Sequence, residues 1–344
     1  MFATKTTRTL EATVTQRKPS RLRSAATLLV GVVATVLVAG LAFETLAAAA
    51  DAKRYPPAGE LVDVGGRAMH LHCTGEGGPT VVLESGVGGG VLAWAWIQPE
   101  VARETRVCSY DRAGYGWSDE RPGDLNAQTV VEDLHDLLSA AGEQGPYLLV
   151  AHSLGGHYSR VYADAHHDEV LGVVLLDARN PLIGHRDEGH YDSVAQAVRM
   201  FRVARGLAEF GVMRLLGDLQ GVMQPLPDGA REAAIAASAT PRHLRTYLRE
   251  LESLRVSDAQ AESAADYGDT PLIVLAAGKR TDGMTDSFWE LLAELQADLA
   301  RLSSDAQLTS LAEADHVSIV TERANARAVS QVINDLVGRL RGES

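Results

Sequence analysis

Apolar positions along this chain follow two periods. Short runs rich in Val, Leu and Ala recur between polar turns, and longer segments repeat apolar residues every three or four positions. The short runs predict strands over Glu60–Val64 and Arg67–Cys73, joined by Gly65-Gly66 as a two-residue hairpin turn. Further strands are expected at Val81–Glu84, Arg106–Tyr110, Tyr147–Val150, Val173–Leu176, Leu272–Ala276 and Leu308–Ala312. Helical spacing marks residues 127–140, where Val130, Val131, Leu134, Leu137 and Leu138 share a face, and also Gly155–Ala165 and residues 323–340. Apolar strands alternating with helices predict an α/β core over residues 60–180 and 269–344, with a mostly parallel sheet flanked by helices. Residues 181–268 break that rhythm. They hold no strand pattern and several helical stretches, including Ser193–Leu216 and Pro241–Leu254, and read as an inserted helical lid.

The first 60 residues follow a different pattern. Ala25–Phe43 is a run of uncharged residues, apolar on every side. Its 19 residues extend about 28 Å as a helix, close to the ~30 Å core of a bilayer. Residues 1–24 before it carry six basic residues and one acid. The positive-inside tendency places that basic segment in the cytoplasm, residues 25–48 across the cell membrane, and the catalytic domain outside, beyond a linker at 49–59. The rival reading is a secretory signal, cut after the small residues Ala48 and Ala50 to release the domain. The net charge of −13, with +5 in residues 1–24, leaves −18 on the rest of the chain. Such a surface excludes nucleic acid as a partner.

The candidate chemistry centres on Leu148-Leu149-Val150-Ala151-His152-Ser153-Leu154-Gly155-Gly156. A buried strand runs into a serine among small residues and then into a helix, the arrangement that lifts a nucleophilic hydroxyl above a sheet. Ala151 stands where glycine is usual. A serine hydroxyl needs an adjacent base. His316, in Ala314-Asp315-His316-Val317 near the end of the chain, is the candidate. Asp177 at the end of one strand and Asp282 in the loop after the next are alternatives for the acid that orients it. His152 is too close in sequence to turn back onto Ser153, and His70, His72, His166 and His167 fit strand or surface roles better. The chain has no His-Glu-x-x-His, which disfavours a zinc hydrolase, and no Lys-Ser/Thr after the glycines of Ser85–Gly90, which disfavours a phosphate loop. No metal and no cofactor is implied.

Four segments together carry a family resemblance: Val81-Val82-Leu83-Glu84-Ser85-Gly86, the loop Tyr110-Asp111-Arg112-Ala113-Gly114-Tyr115-Gly116-Trp117-Ser118, the turn at Ser153, and Ala314-Asp315-His316. From about residue 56 to 340 the chain resembles the α/β-hydrolase superfamily, most closely its bacterial membrane-anchored or secreted members. The resemblance implies an oxyanion hole from the backbone N–H groups of Leu154 and Val87. It makes the second and fourth strands neighbours, which brings Cys73 and Cys108 within reach of a disulfide. Ser153 stands where the dehalogenase and epoxide hydrolase branches have aspartate, which argues against those activities. The expected function is hydrolysis of a small-molecule carboxylic ester through an acyl-enzyme. The alternatives are an aminopeptidase of the proline-iminopeptidase type, a cofactor-free haloperoxidase-like enzyme, and a non-catalytic binding module.

Overall fold

The computed structural model describes residues 21–218, 221–281 and 283–342. It opens with α1 (Arg21–Arg54), an unbroken helix whose Leu28, Val30 and Val36 side chains lie exposed. Among the described residues it is the one helix long and apolar enough to cross a membrane. The linker expected at 49–59 is shorter than that, because the helix continues to Arg54. Residues 47–50 are four alanines, the best helix former, and the turn ends only at Pro56-Pro57, where proline removes a donor and restricts the residue before it.

β1 (Glu60–Val64) and β2 (Arg67–Thr74) form the expected hairpin, and Gly65 and Gly66 both take the positive φ that its turn requires. Next come β3 (Thr80–Glu84), α2 (Gln98–Val101), β4 (Val107–Tyr110), α3 (Ala127–Ala140), β5 (Tyr147–His152), α4 (Gly155–Ala165) and β6 (Val170–Leu176). Six helices follow among the described residues: α5 (Ile183–Arg186), α6 (His190–Ala208), α7 (Val212–Leu216), α8 (Asp228–Ser238), α9 (Pro241–Glu252) and α10 (Leu254–Ser263). The core then resumes with β7 (Leu272–Ala277), α11 (Asp286–Ala300), β8 (Ala306–Leu311), α12 (Ser318–Thr321) and α13 (Arg323–Arg341).

The strands build one sheet in the order β1-β2-β4-β3-β5-β6-β7-β8. β2 runs antiparallel to its neighbours and the other pairs are parallel. Both faces are buried. Val82, Leu149 and Leu175 point to the side covered by α3. Val81, Leu83, Leu148, Val150 and Val174 point to the side where Val329, Ile333 and Leu336 of α13 pack. That is the period of two expected of a strand covered on each face. α3 begins at a capping box, in which Asn126 accepts from the Thr129 N–H at 3.2 Å and Thr129 Oγ1 accepts from the Asn126 N–H at 3.1 Å. Cys73 and Cys108 lie opposite each other on β2 and β4 and are bonded, with their Cα atoms 4.0 Å apart.

The stretch expected as one helix over Ser193–Leu216 is two, parted at Gly211, whose φ is 74°. A Cβ at Gly211 would lie 2.4 Å from the Phe43 ring of α1. The break therefore makes room for the N-terminal helix, a contact that local periodicity cannot register.

Candidate active site

The carboxyl ends of the parallel strands gather their loops at one edge, where open α/β sheets bind ligands. Ser153 follows β5 directly. Its φ is 54°, and Asp177, just after β6, has a φ of 40°. Among the described residues these are the two non-glycine positions in left-handed backbone, a conformation that persists only where its surroundings impose it. Here they do. The Ser153 N–H donates to the Leu176 carbonyl at 3.2 Å, and the Ser153 carbonyl accepts from the N–H groups of Gly156 at 3.1 Å and Arg179 at 2.8 Å. A Cβ on Gly155 would sit 2.6 Å from the Glu84 carbonyl oxygen, so the tight turn needs glycine there. Ala151 is fully buried in the core, so its methyl fits where glycine is usual.

His316 Nε2 lies 3.0 Å from Ser153 Oγ, and His316 Nδ1 lies 2.6 Å from Asp177 Oδ2. The other Asp177 oxygen accepts from the Ala277 N–H at 3.0 Å. Burial pushes the Asp177 carboxyl up, but the hydrogen bond and charge of His316 outweigh it and hold the group below its usual range. Asp282 lies outside the described residues. The loop carrying His316 is fixed at both sides. Asp315 Oδ1 accepts from the N–H groups of Val317 and Ser318 at 3.1 and 2.8 Å. His152, set aside as the base because it stands too close in sequence to turn back onto Ser153, donates from Nε2 to the His316 carbonyl at 2.7 Å. No signal in the sequence separates that role from an ordinary strand histidine.

The glycine loop after β3 closes over the serine. A Cβ on Gly86 would come 2.9 Å from Ser153 Cβ and 3.1 Å from His152 Nδ1, so only glycine lets the backbone approach. Val87 follows in this loop, and Leu154 is buried at the start of α4. A buried cluster braces the loop from behind. Arg112 donates to the carbonyls of Ser85 and Gly86 at 2.8 and 2.7 Å, to Glu84 at 2.7 Å and to Glu250 of α9 at 2.8 Å. Glu250 accepts from the Gly88 N–H at 3.2 Å and from Tyr115 Oη at 2.6 Å. Arg112, Glu84 and Glu250 are all almost fully buried. Burial pushes Glu84 up to about 7 against the pull of Arg112 and the Tyr110 hydroxyl. The loop at 110–118 thus holds the glycine loop in place, and Glu250, which sequence reasoning missed, ties both to the helical segment above.

A cavity of about 940 Å³ opens over Ser153 and His316. Its wall is largely apolar and includes Phe201, Ala233 and Tyr247 from the helices between β6 and β7, Leu226 from the loop before α8, and Leu41 and Ala48 from α1. Two groups of three side chains among the described residues have metal-ligand spacing. In one, Cys73 and Cys108 are bonded to each other. In the other, His135, His166 and Glu169 sit beside the start of β5, at the edge of the sheet away from Ser153.

Burial also pushes three histidines down: His152 to about 3, His243 to about 4, and His157 below its usual range. The unfolded chain binds protons at these groups near pH 6.5, whereas the folded chain binds them only at lower pH. Stability is therefore full above about pH 6.5 and falls as the pH drops toward 4. Urea denaturation of the full chain in detergent at pH 7 and pH 5 tests this. The midpoint falls at pH 5, and His243→Asn reduces the fall; equal midpoints would contradict it.

Residues 79–227 match the family model of the alpha/beta hydrolase fold. The 2-hydroxy-6-oxo-2,4-heptadienoate hydrolase of Pseudomonas putida is 37% identical over 125 residues, which cover 35% of this chain and 44% of that protein. An uncharacterized protein of Schizosaccharomyces pombe is 37% identical over 124 residues, 36% of this chain and 22% of the other. The chain spans less than half the length of these curated relatives. The enol-lactonase of Burkholderia xenovorans LB400 shares the fold, with a TM-score of 0.59 at 19% identity over 80% of this chain and 98% of that one. By its sheet order, its strand-to-helix turn at Ser153 and these matches, the chain has the α/β-hydrolase fold.

Proposed function

We propose that the chain is a serine hydrolase that cleaves carboxylic esters through an acyl-enzyme. The observation that carries this reading is the line Ser153 Oγ, His316, Asp177, with contacts of 3.0 and 2.6 Å, at the floor of a largely apolar cavity. Ser153 Oγ attacks the ester carbonyl while its proton passes to His316 Nε2. Asp177 accepts from His316 Nδ1, keeps Nε2 free to act as base, and stabilises the imidazolium. The N–H groups of Leu154 and Val87 hold the oxyanion, and Arg112 and Glu250 fix the loop that carries Val87. The imidazolium returns its proton to the departing alcohol. Water, deprotonated by His316, then attacks the acyl-serine and releases the acid.

The same reading makes α1 an uncleaved anchor, with the domain outside the cytoplasmic membrane. Glu44, the first charge after the apolar run, is buried and accepts from Arg214 of α7 at 2.6 and 3.1 Å. A cut after Ala50 would remove Glu44 and the part of the cavity wall that α1 supplies. The first test is hydrolysis of short nitrophenyl esters by the full chain in detergent. Turnover that ends on treatment with a fluorophosphonate supports the proposal. No turnover across a panel of acyl lengths sinks it.

A further inference from the structure

The exposed apolar side chains are not scattered evenly. Beyond α1, Met200, Val203 and Leu207 recur at helical spacing on one side of α6, and Leu215 and Leu216 follow on α7. Val203 is 64% exposed and Leu215 76%. A soluble monomer rarely presents such a group in one place. The turn joining these two helices is also the point at which α1 meets the domain. A Cβ at Gly40 would lie 2.9 Å from Phe210, and Phe43 packs on Gly211. Gly40 and Phe43 are the last turn of the apolar run. The two helices therefore flank α1 where it would leave the bilayer, and Arg214 of α7, held by Glu44 and Asp51, fixes them to it. The charge fits the same surface. α6 carries Arg199, Arg202 and Arg205 against one acid, Asp192, with Arg202 paired to Glu252 of α9 at 2.7 Å, although the chain as a whole is strongly acidic. An apolar face bordered on one side by Arg199, with the other arginines farther round the helix, fits a helix lying in a lipid headgroup layer.

The cavity reaches the same place. α1 lines it from Leu41 to Ala52, about 16 Å along the helix axis. The wall thus leads from Ser153 along α1 toward the membrane end of the domain.

We infer that α6 and α7 seat on the outer face of the bilayer beside α1, and that the Ser153 cavity takes its ester from the membrane, with the substrate's long apolar chain lying against α1. The inference rests on the ester-hydrolase and anchor readings above, and its test separates the two failures. The full chain is reconstituted in vesicles of phosphatidylcholine and phosphatidylglycerol. A fluorescent nitrobenzoxadiazole label is placed on Val203→Cys, Leu215→Cys or, as control, Asp168→Cys, an exposed position near the start of β6. The native cysteines are bonded to each other and take no label. Brominated lipid quenches the label at 203 and 215 and leaves that at 168 bright. Equal emission at the three sites would overturn the seating whether or not the chain is an esterase. The double variant Val203→Glu, Leu215→Glu loses about tenfold or more of its turnover of a long-chain ester dissolved in the vesicle, and keeps its turnover of a soluble butyrate ester. An equal loss on both esters, or none on either, would overturn delivery from the membrane. If native protein cleaves neither ester, the hydrolase reading has failed and the quenching result still decides the seating.

Discussion

His316→Ala lowers kcat/KM for a short nitrophenyl ester by about 10⁴-fold or more, and Asp177→Asn by a comparable factor of about 10⁴. The two losses have different physical origins. Without His316 nothing takes the Ser153 proton, and a neutral hydroxyl is a weak nucleophile at pH 7. In the Asp177→Asn variant the geometry survives, but the side-chain amide can donate to Nδ1, which favours the tautomer that carries its proton on Nε2 and blocks the base. Asp177 is 16% exposed and His316 44%, so neither substitution empties the core. Folding is checked by comparing urea midpoints with that of the native chain. Near-native activity in Asp177→Asn would remove Asp177 from the proposed mechanism.

Arg112→Ala has the largest expected effect on stability, a loss of about 3–5 kcal/mol. Its guanidinium sits between Glu84 and Glu250, and all three side chains are at most 3% exposed. Removing the cation leaves two carboxyl groups facing each other without water, and frees the carbonyls of Ser85 and Gly86 that it held. Activity falls together with stability, because the displaced loop carries the Val87 N–H. The companion variant Arg112→Ala, Glu250→Gln recovers part of the stability by removing one of the stranded charges. Urea midpoints of the native, single and double variants check both points. A single variant as stable as the native chain would show that the cluster does not brace the loop.

These two expectations differ in how far the sequence announces them. Ser153 and His316, proposed as nucleophile and base, each stand in a short local pattern that a sequence displays: a strand, a small-residue turn and a helix for one, a loop after the last strand for the other. The strands were legible for a similar reason, since burial on both faces leaves runs of Val and Leu. The acid was less so. Asp177 and Asp282 both follow strands, and only the pairing of β6 with β7 sets the Asp177 carboxylate against the Ala277 N–H and the His316 ring. The brace could not be read at all. Glu250 lies 138 positions from Arg112, on a helix whose apolar residues tell only which side is covered. The same limit hid the seat of α1. Its composition fits a membrane anchor or a signal segment, but the contacts of Gly40, Phe43 and Glu44 with the α6–α7 turn depend on tertiary packing, as does the break at Gly211.

Acylation of Ser153 is read out by peptide mass spectrometry of the full chain after brief exposure to a fluorophosphonate or a slowly hydrolysed ester. The adduct forms on the peptide bearing Ser153, is missing in Ser153→Ala, and forms much more slowly in His316→Ala. Unmodified Ser153 in a chain that turns over esters, or an adduct formed equally fast without His316, would contradict the proposed mechanism.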